Sequence, residues 1–110
     1  MAVELPELLS RYFDATDGHD VEGLVALFAD AATLVDEGAT RHGLNEIRAW
    51  ANGPAIAYDY RTDLISSEAI APDRYLVAGR LTGDFPGGTA DLTWDFTIAG
   101  EHITRLVVAP

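Results

Sequence analysis

The clearest pattern at the start of the chain is helical. Between Leu5 and Asp17 the positions Leu5, Leu8, Leu9, Tyr12, Phe13 and Thr16 recur three and four apart, the spacing that lines one face of a helix. Pro6 suits the first turn, where its missing N–H would have lacked a partner anyway. Gly18 and His19 interrupt the pattern, and Asp20 is placed to cap a second helix through Val21, Leu24, Val25, Leu27 and Phe28. After the Ala29-Asp30-Ala31 boundary, Ala32 to Asp36 reads as a first strand that ends at Asp36-Glu37-Gly38, and Thr40 to His42 as a brief second one. Leu44, Ile47 and Ala51 then share one face of a third helix, which Asn52-Gly53-Pro54 stops.

From about Ile56 onward the period falls to two. Turn signals at Ala71-Pro72-Asp73, Phe85-Pro86-Gly87-Gly88 and Ala99-Gly100-Glu101 divide this half into four strands of an antiparallel meander. The plainest alternation sets Leu92, Trp94, Phe96 and Ile98 on one face against Asp91, Thr93, Asp95 and Thr97 on the other, so Trp94 is expected to point inward. The element order predicts an α+β fold: three N-terminal helices packed on one face of a strongly curved, mostly antiparallel sheet. Such a bend leaves a cleft between the layers. Leu9, Tyr12, Phe13, Phe28, Trp50, Trp94 and Phe96 are the residues expected to line it, as a pocket for an apolar small molecule.

Composition narrows the partners. The 110 residues suit one domain spanning 1–110, and 48% hydrophobic against 23% charged residues is the mixture of a chain that packs a core. Seven Lys and Arg answer eighteen carboxylates, a net charge of −11, which argues against nucleic acid and anionic membrane surfaces as partners. There is no cysteine, hence no disulfide framework and no thiolate nucleophile. The start Met1-Ala2-Val3-Glu4-Leu5-Pro6-Glu7 lacks the basic, then apolar, character of a secretion leader, and a cytoplasmic protein is expected. His19, His42 and His102 have no spacing that would bring two of them onto one metal, so neither a metal nor a cofactor is implied.

One succession of residues carries a family likeness: Arg11-Tyr12, then Asp20 through Asp30 (Asp-Val-Glu-Gly-Leu-Val-Ala-Leu-Phe-Ala-Asp), Ala32-Thr33, Asp36, and Gly43 through Ile47-Arg48. It resembles the nuclear transport factor 2-like superfamily, in the branch of the ketosteroid isomerases and SnoaL-like polyketide cyclases. The resemblance implies a cone-shaped roll of helices and curved sheet, and pairing of two copies through the outer face of the sheet. The isomerases of the family use a helix-1 tyrosine as oxyanion donor and an aspartate at the end of the first strand as general base; Tyr12 and Asp36 match those positions. Their third functional group, a protonated acid on a later strand, falls on Trp94, where this sequence departs from the pattern.

The implied chemistry is proton transfer next to a carbonyl. A carboxylate facing an apolar pocket loses hydration and becomes a stronger base toward a carbon acid, and a phenol aimed at the carbonyl oxygen stabilises the enolate. Trp94 has one N–H to offer, a weaker acid than the carboxyl it replaces. Taken singly, Asp36 reads equally well as a turn residue, Tyr12 as a core aromatic and Trp94 as packing. It is the match of Tyr12 and Asp36 to one family that points to catalysis. The competing expectation is a binding domain that holds an apolar molecule in the same pocket without reaction. Arg61-Thr62-Asp63 is similar to the Arg-x-Asp pair of the superfamily's epoxide hydrolases, but the last strand, Ile103 to Val107, supplies no acid to complete that relay.

Overall fold

The computed structural model describes residues 4–110; Met1, Ala2 and Val3, where the leader reading begins, lie outside the described residues. Helix α1 covers Glu7–Asp17, with Pro6 at its N-cap accepting from the backbone N–H groups of Leu9 and Ser10. Its apolar stripe is the one the spacing marks: Leu9, Tyr12, Phe13, Ala15 and Thr16 are buried. His19 turns the chain through a left-handed backbone (φ 53°), and Asp20 caps α2 (Val21–Val25) by accepting from Gly23 N–H at 3.0 Å.

Helix α2 is shorter than expected. Its last turn closes with Ala26 N–H on the Glu22 carbonyl, and Phe28 already opens strand β1 (Phe28–Asp36), four residues ahead of the expected start at Ala32. The spacing of Leu24, Leu27 and Phe28 fits a helix, but Phe28 pairs with Ile103, whose N–H donates to the Leu27 carbonyl at 2.8 Å. A pairing with the far end of the chain overrides the local pattern. Strand β2 (Ala39–His42) returns from a two-residue turn in which Glu37 and Gly38 both have positive φ, 53° and 75°, the backbone twist a tight hairpin requires.

Helix α3 (Gly43–Ala51) buries Ile47, Trp50 and Ala51, and a single 3₁₀ turn at Pro54–Ile56 leads into the meander. Its strands are β3 (Tyr60–Ala71), β4 (Arg74–Gly83), β5 (Thr89–Ala99) and β6 (His102–Ala109), separated at the three expected turns. Among the described residues the sheet runs β2-β1-β6-β5-β4-β3 with β1–β6 its one parallel pairing, so six strands form a mixed sheet with three helices packed on it. Register shifts within β1, β3 and β6 bend the ladders and curl the sheet without closing it.

The concave face meets α1 and α3. Phe96, Leu9, Leu34, Ile47, Ile103, Leu106 and Val77 are the largest side chains removed entirely from solvent, and each contributes on the order of 1.5–3 kcal/mol by its burial. Tyr12 and Phe13 meet the sheet edge-on: Tyr12 to Phe96 and Phe13 to Trp94 are both 5.1 Å between ring centroids. The convex face carries the ion pairs Arg74–Asp95 and Arg80–Asp91, and Asp95 lies there, opposite Trp94, as the alternation predicts.

Candidate functional site

Between the helices and the concave face lies a cavity of about 490 Å³. Tyr12 and Thr16 reach it from the inner stripe of α1, Asp36 from the end of β1, Trp50 from α3, Tyr60 and Thr62 from β3, and Leu92 and Trp94 from β5. Leu81 and Val108 supply more apolar wall. The chain just before β3 and the turn between β4 and β5, whose Tyr58 and Phe85 stand on the wall, are tied together: Asp59 N–H donates to Asp84 Oδ1 at 2.9 Å, and Tyr58 meets Phe85 edge-on at 6.2 Å.

Asp36 is held from two sides. Arg41 donates to its backbone carbonyl at 3.2 Å, and the indole N–H of Trp50 donates to its Oδ2 at 2.9 Å. Among the described residues Oδ1 has no hydrogen-bond donor, so one carboxylate oxygen is oriented and the other is unpaired. Tyr12 is 2% exposed, and its hydroxyl has no acceptor among the described residues. Burial pushes the Tyr12 phenol well above its ordinary value of 10.0; the nearby Tyr60 and the Asp36 charge push the same way, and the Trp94 indole N–H acts against them. Tyr12 is therefore a neutral donor throughout the ordinary pH range. Tyr60 is pushed up to about 12, by burial first and then by Asp17 and Asp36, while its own proton is engaged by the Ala55 carbonyl at 3.1 Å.

Tyr12, Asp36, Trp50 and Trp94 thus stand on one wall. Leu9, Phe13, Phe28 and Phe96 were expected there too, and their placement needs correcting: they are buried in the core and are not on the cavity wall. The reason is packing. Phe13 and Phe28 lie beside the Tyr12 ring at 5.1 and 6.5 Å, and Phe96 sits at 5.1 Å on the same ring, so they brace Tyr12 from behind. His42 is turned to Thr33, with 3.1 Å between Nδ1 and Oγ1, and is not on the wall. Arg61 and Asp63 face solvent, 73% and 55% exposed, away from the cavity.

Sequence reasoning missed Tyr60, Thr62 and the bond from Trp50 to Asp36. The period-two placement of Tyr60 and Thr62 at the start of the meander was a usable signal for an inward face. Nothing local joins Trp50 to Asp36: the bond exists because α3 packs across the end of β1.

A family model described as the SnoaL-like domain matches residues 9–106. The chain belongs to the SnoaL-like domain family. Among solved structures, this SnoaL-like domain is similar to a proposed polyketide cyclase from Sinorhizobium meliloti, SMa1630, at 34% identity over 96% of this chain and 95% of that one (TM-score 0.86). A protein of ketosteroid isomerase-like fold from Catenulispora acidiphila, in complex with trimethylamine, shares 23% identity over 97% of this chain and 87% of that one (TM-score 0.85). The Δ5-3-ketosteroid isomerase of a Mycobacterium species shares the fold at 17% identity, over 94% of this chain and 89% of that one (TM-score 0.78). No curated protein matches the sequence. The SnoaL-like domain thereby shares the ketosteroid isomerase-like, nuclear transport factor 2-like fold of these neighbours. No helix among the described residues is long and apolar enough to cross a membrane.

Proposed function

We propose that this chain is a cofactor-independent isomerase- or cyclase-like enzyme that moves a proton next to a carbonyl of a hydrophobic small molecule. One observation carries the reading: the Asp36 carboxylate and the Tyr12 hydroxyl, far apart in sequence, stand on the wall of one largely apolar cavity. Asp36 Oδ1 takes the proton from the carbon beside the carbonyl. The C–H electron pair moves into the enolate, whose oxygen accepts the hydrogen bond of the neutral Tyr12 hydroxyl. Isomerisation follows when Asp36 returns the proton to a different carbon; cyclisation follows when the enolate carbon attacks a second carbonyl of the same molecule and the new alkoxide takes back the proton held by Asp36, which regenerates the carboxylate.

The remaining residues support these two. The Trp50 N–H fixes the face that Asp36 presents, and Trp94, on the same cavity wall, has one N–H to offer the developing oxyanion.

Asp36→Asn tests the base. The amide oxygen still accepts from Trp50, so the fold and ligand affinity are retained, and turnover of a reactive ketone is expected to fall about 10²–10⁴-fold. Unchanged turnover removes Asp36 from this role. If no ketone turns over while an apolar ligand still raises the melting temperature, the chain is a binding domain instead.

A further inference from the structure

The charge and aromatic character of the cavity wall go together in a way that proton transfer from a neutral ketone does not need. Six aromatic side chains stand on it: Tyr12, Trp50, Tyr58, Tyr60, Phe85 and Trp94. Two carboxylates join them, Asp36 inside and Glu37 at the rim, and no Lys, Arg or His is on the wall among the described residues.

The chain's few cations stand elsewhere, and Arg105 is exposed on β6, off the wall. Arg11, Arg48, Arg61, Arg74 and Arg80 each pair with a carboxylate off the cavity wall, and Arg41 reaches the backbone carbonyls of Asp36 and Ala39. Glu37 has no salt-bridge partner among the described residues, although the hairpin's left-handed backbone places it beside the opening. With a net charge of −11 behind them, these two carboxylates give the cavity a negative potential that its low-dielectric wall focuses.

We infer that the cavity takes an apolar ligand carrying an alkylammonium group, tertiary or quaternary, and discriminates against carboxylates. The physical reason is the matching of two demands. Aromatic faces attract a cation without hydrogen-bonding it, so they suit an ammonium that is already wrapped in carbon and cheap to dehydrate. Glu37 and Asp36 supply the counter-charge, and Leu81, Leu92 and Val108 take the apolar body. An anion of the same shape meets carboxylates with no cation on the wall to compensate. The inference uses the same cavity as the proposed reaction and names the class of its substrate, but it does not need Asp36 to act as a base.

Titration calorimetry on the wild-type protein at low ionic strength, with phenyltrimethylammonium, its neutral carbon analogue tert-butylbenzene, and benzoate, tests it. The cation is expected to bind at least about tenfold more tightly than the neutral analogue, and benzoate more weakly than either. Glu37→Gln, at an exposed turn position, is expected to reduce affinity for the cation about three- to tenfold and leave tert-butylbenzene unchanged. Equal binding of cation and neutral analogue, preferred binding of benzoate, or an equal effect of Glu37→Gln on both overturns the inference. Because no turnover is read, its failure leaves the Asp36 test standing, and inert ketones leave a measured cation preference standing.

Discussion

Replacing Tyr12 by Phe separates what the phenol does for stability from what it does for chemistry. The ring contacts with Phe13, Phe28 and Phe96 all involve carbon and survive the change. What the change removes is a single hydroxyl on the cavity wall that donates to no described residue, an effect of about 1 kcal/mol or less that leaves the two proteins nearly balanced in stability. At neutral pH the melting temperatures should therefore differ by only a few degrees. Alkaline pH breaks the balance. The unfolded chain releases the phenol proton near its ordinary value of 10.0, while the folded chain, whose value is raised, keeps it. Stability is thus fully present below the unfolded value and falls as pH rises above it. At about pH 11 the wild type loses on the order of 1 kcal/mol from this one group, a few degrees in melting temperature, and the Phe variant loses none of that part. The assay is thermal unfolding of both proteins at neutral pH and near pH 11, followed by circular dichroism. The other tyrosines titrate in both proteins and cancel. Parallel losses would refute the reasoning, since Tyr12 would then ionise in the folded state as easily as in the unfolded one. On an active substrate the same variant should lose about 10²-fold in kcat.

Three further expectations follow from the same geometry. Trp50→Phe removes the 2.9 Å bond to Asp36 and should lower kcat about tenfold with KM within about twofold; a change in KM alone would show that Trp50 only shapes the cavity. Burial raises the Asp17 carboxyl above its ordinary 3.8, so the folded chain holds this proton more tightly and stability declines as pH rises through that raised range. Asp17→Asn, which still accepts from Thr62, should then raise the melting temperature slightly at neutral pH, with the gain vanishing as pH drops below 3.8; a gain independent of pH would contradict this. Asp20→Ala removes the α2 cap and should cost about 1 kcal/mol of unfolding free energy in a urea titration, whereas no change would mean that packing alone holds this short helix.

Several features that a local period or a turn residue encodes could be read from the sequence directly. The inner stripe of α1, the capping by Asp20, the three turns of the meander and the inward side of Trp94 were all legible, because hydrophobic spacing reports which way a side chain faces within its own element. It also singled out Tyr12 and Asp36, through the resemblance rather than through spacing. Tertiary structure decided the rest. Whether Leu27 and Phe28 ended a helix or opened a strand depended on a parallel pairing with β6, at the other end of the chain. Which buried aromatics face the cavity and which stand behind it depended on how α1 settles on the curled sheet, so that Trp50 and Tyr60 reached the wall and Leu9, Phe13, Phe28 and Phe96 did not. A period tells inside from outside, but a cavity is a shape made by several elements at once, and no single stretch of sequence carries it.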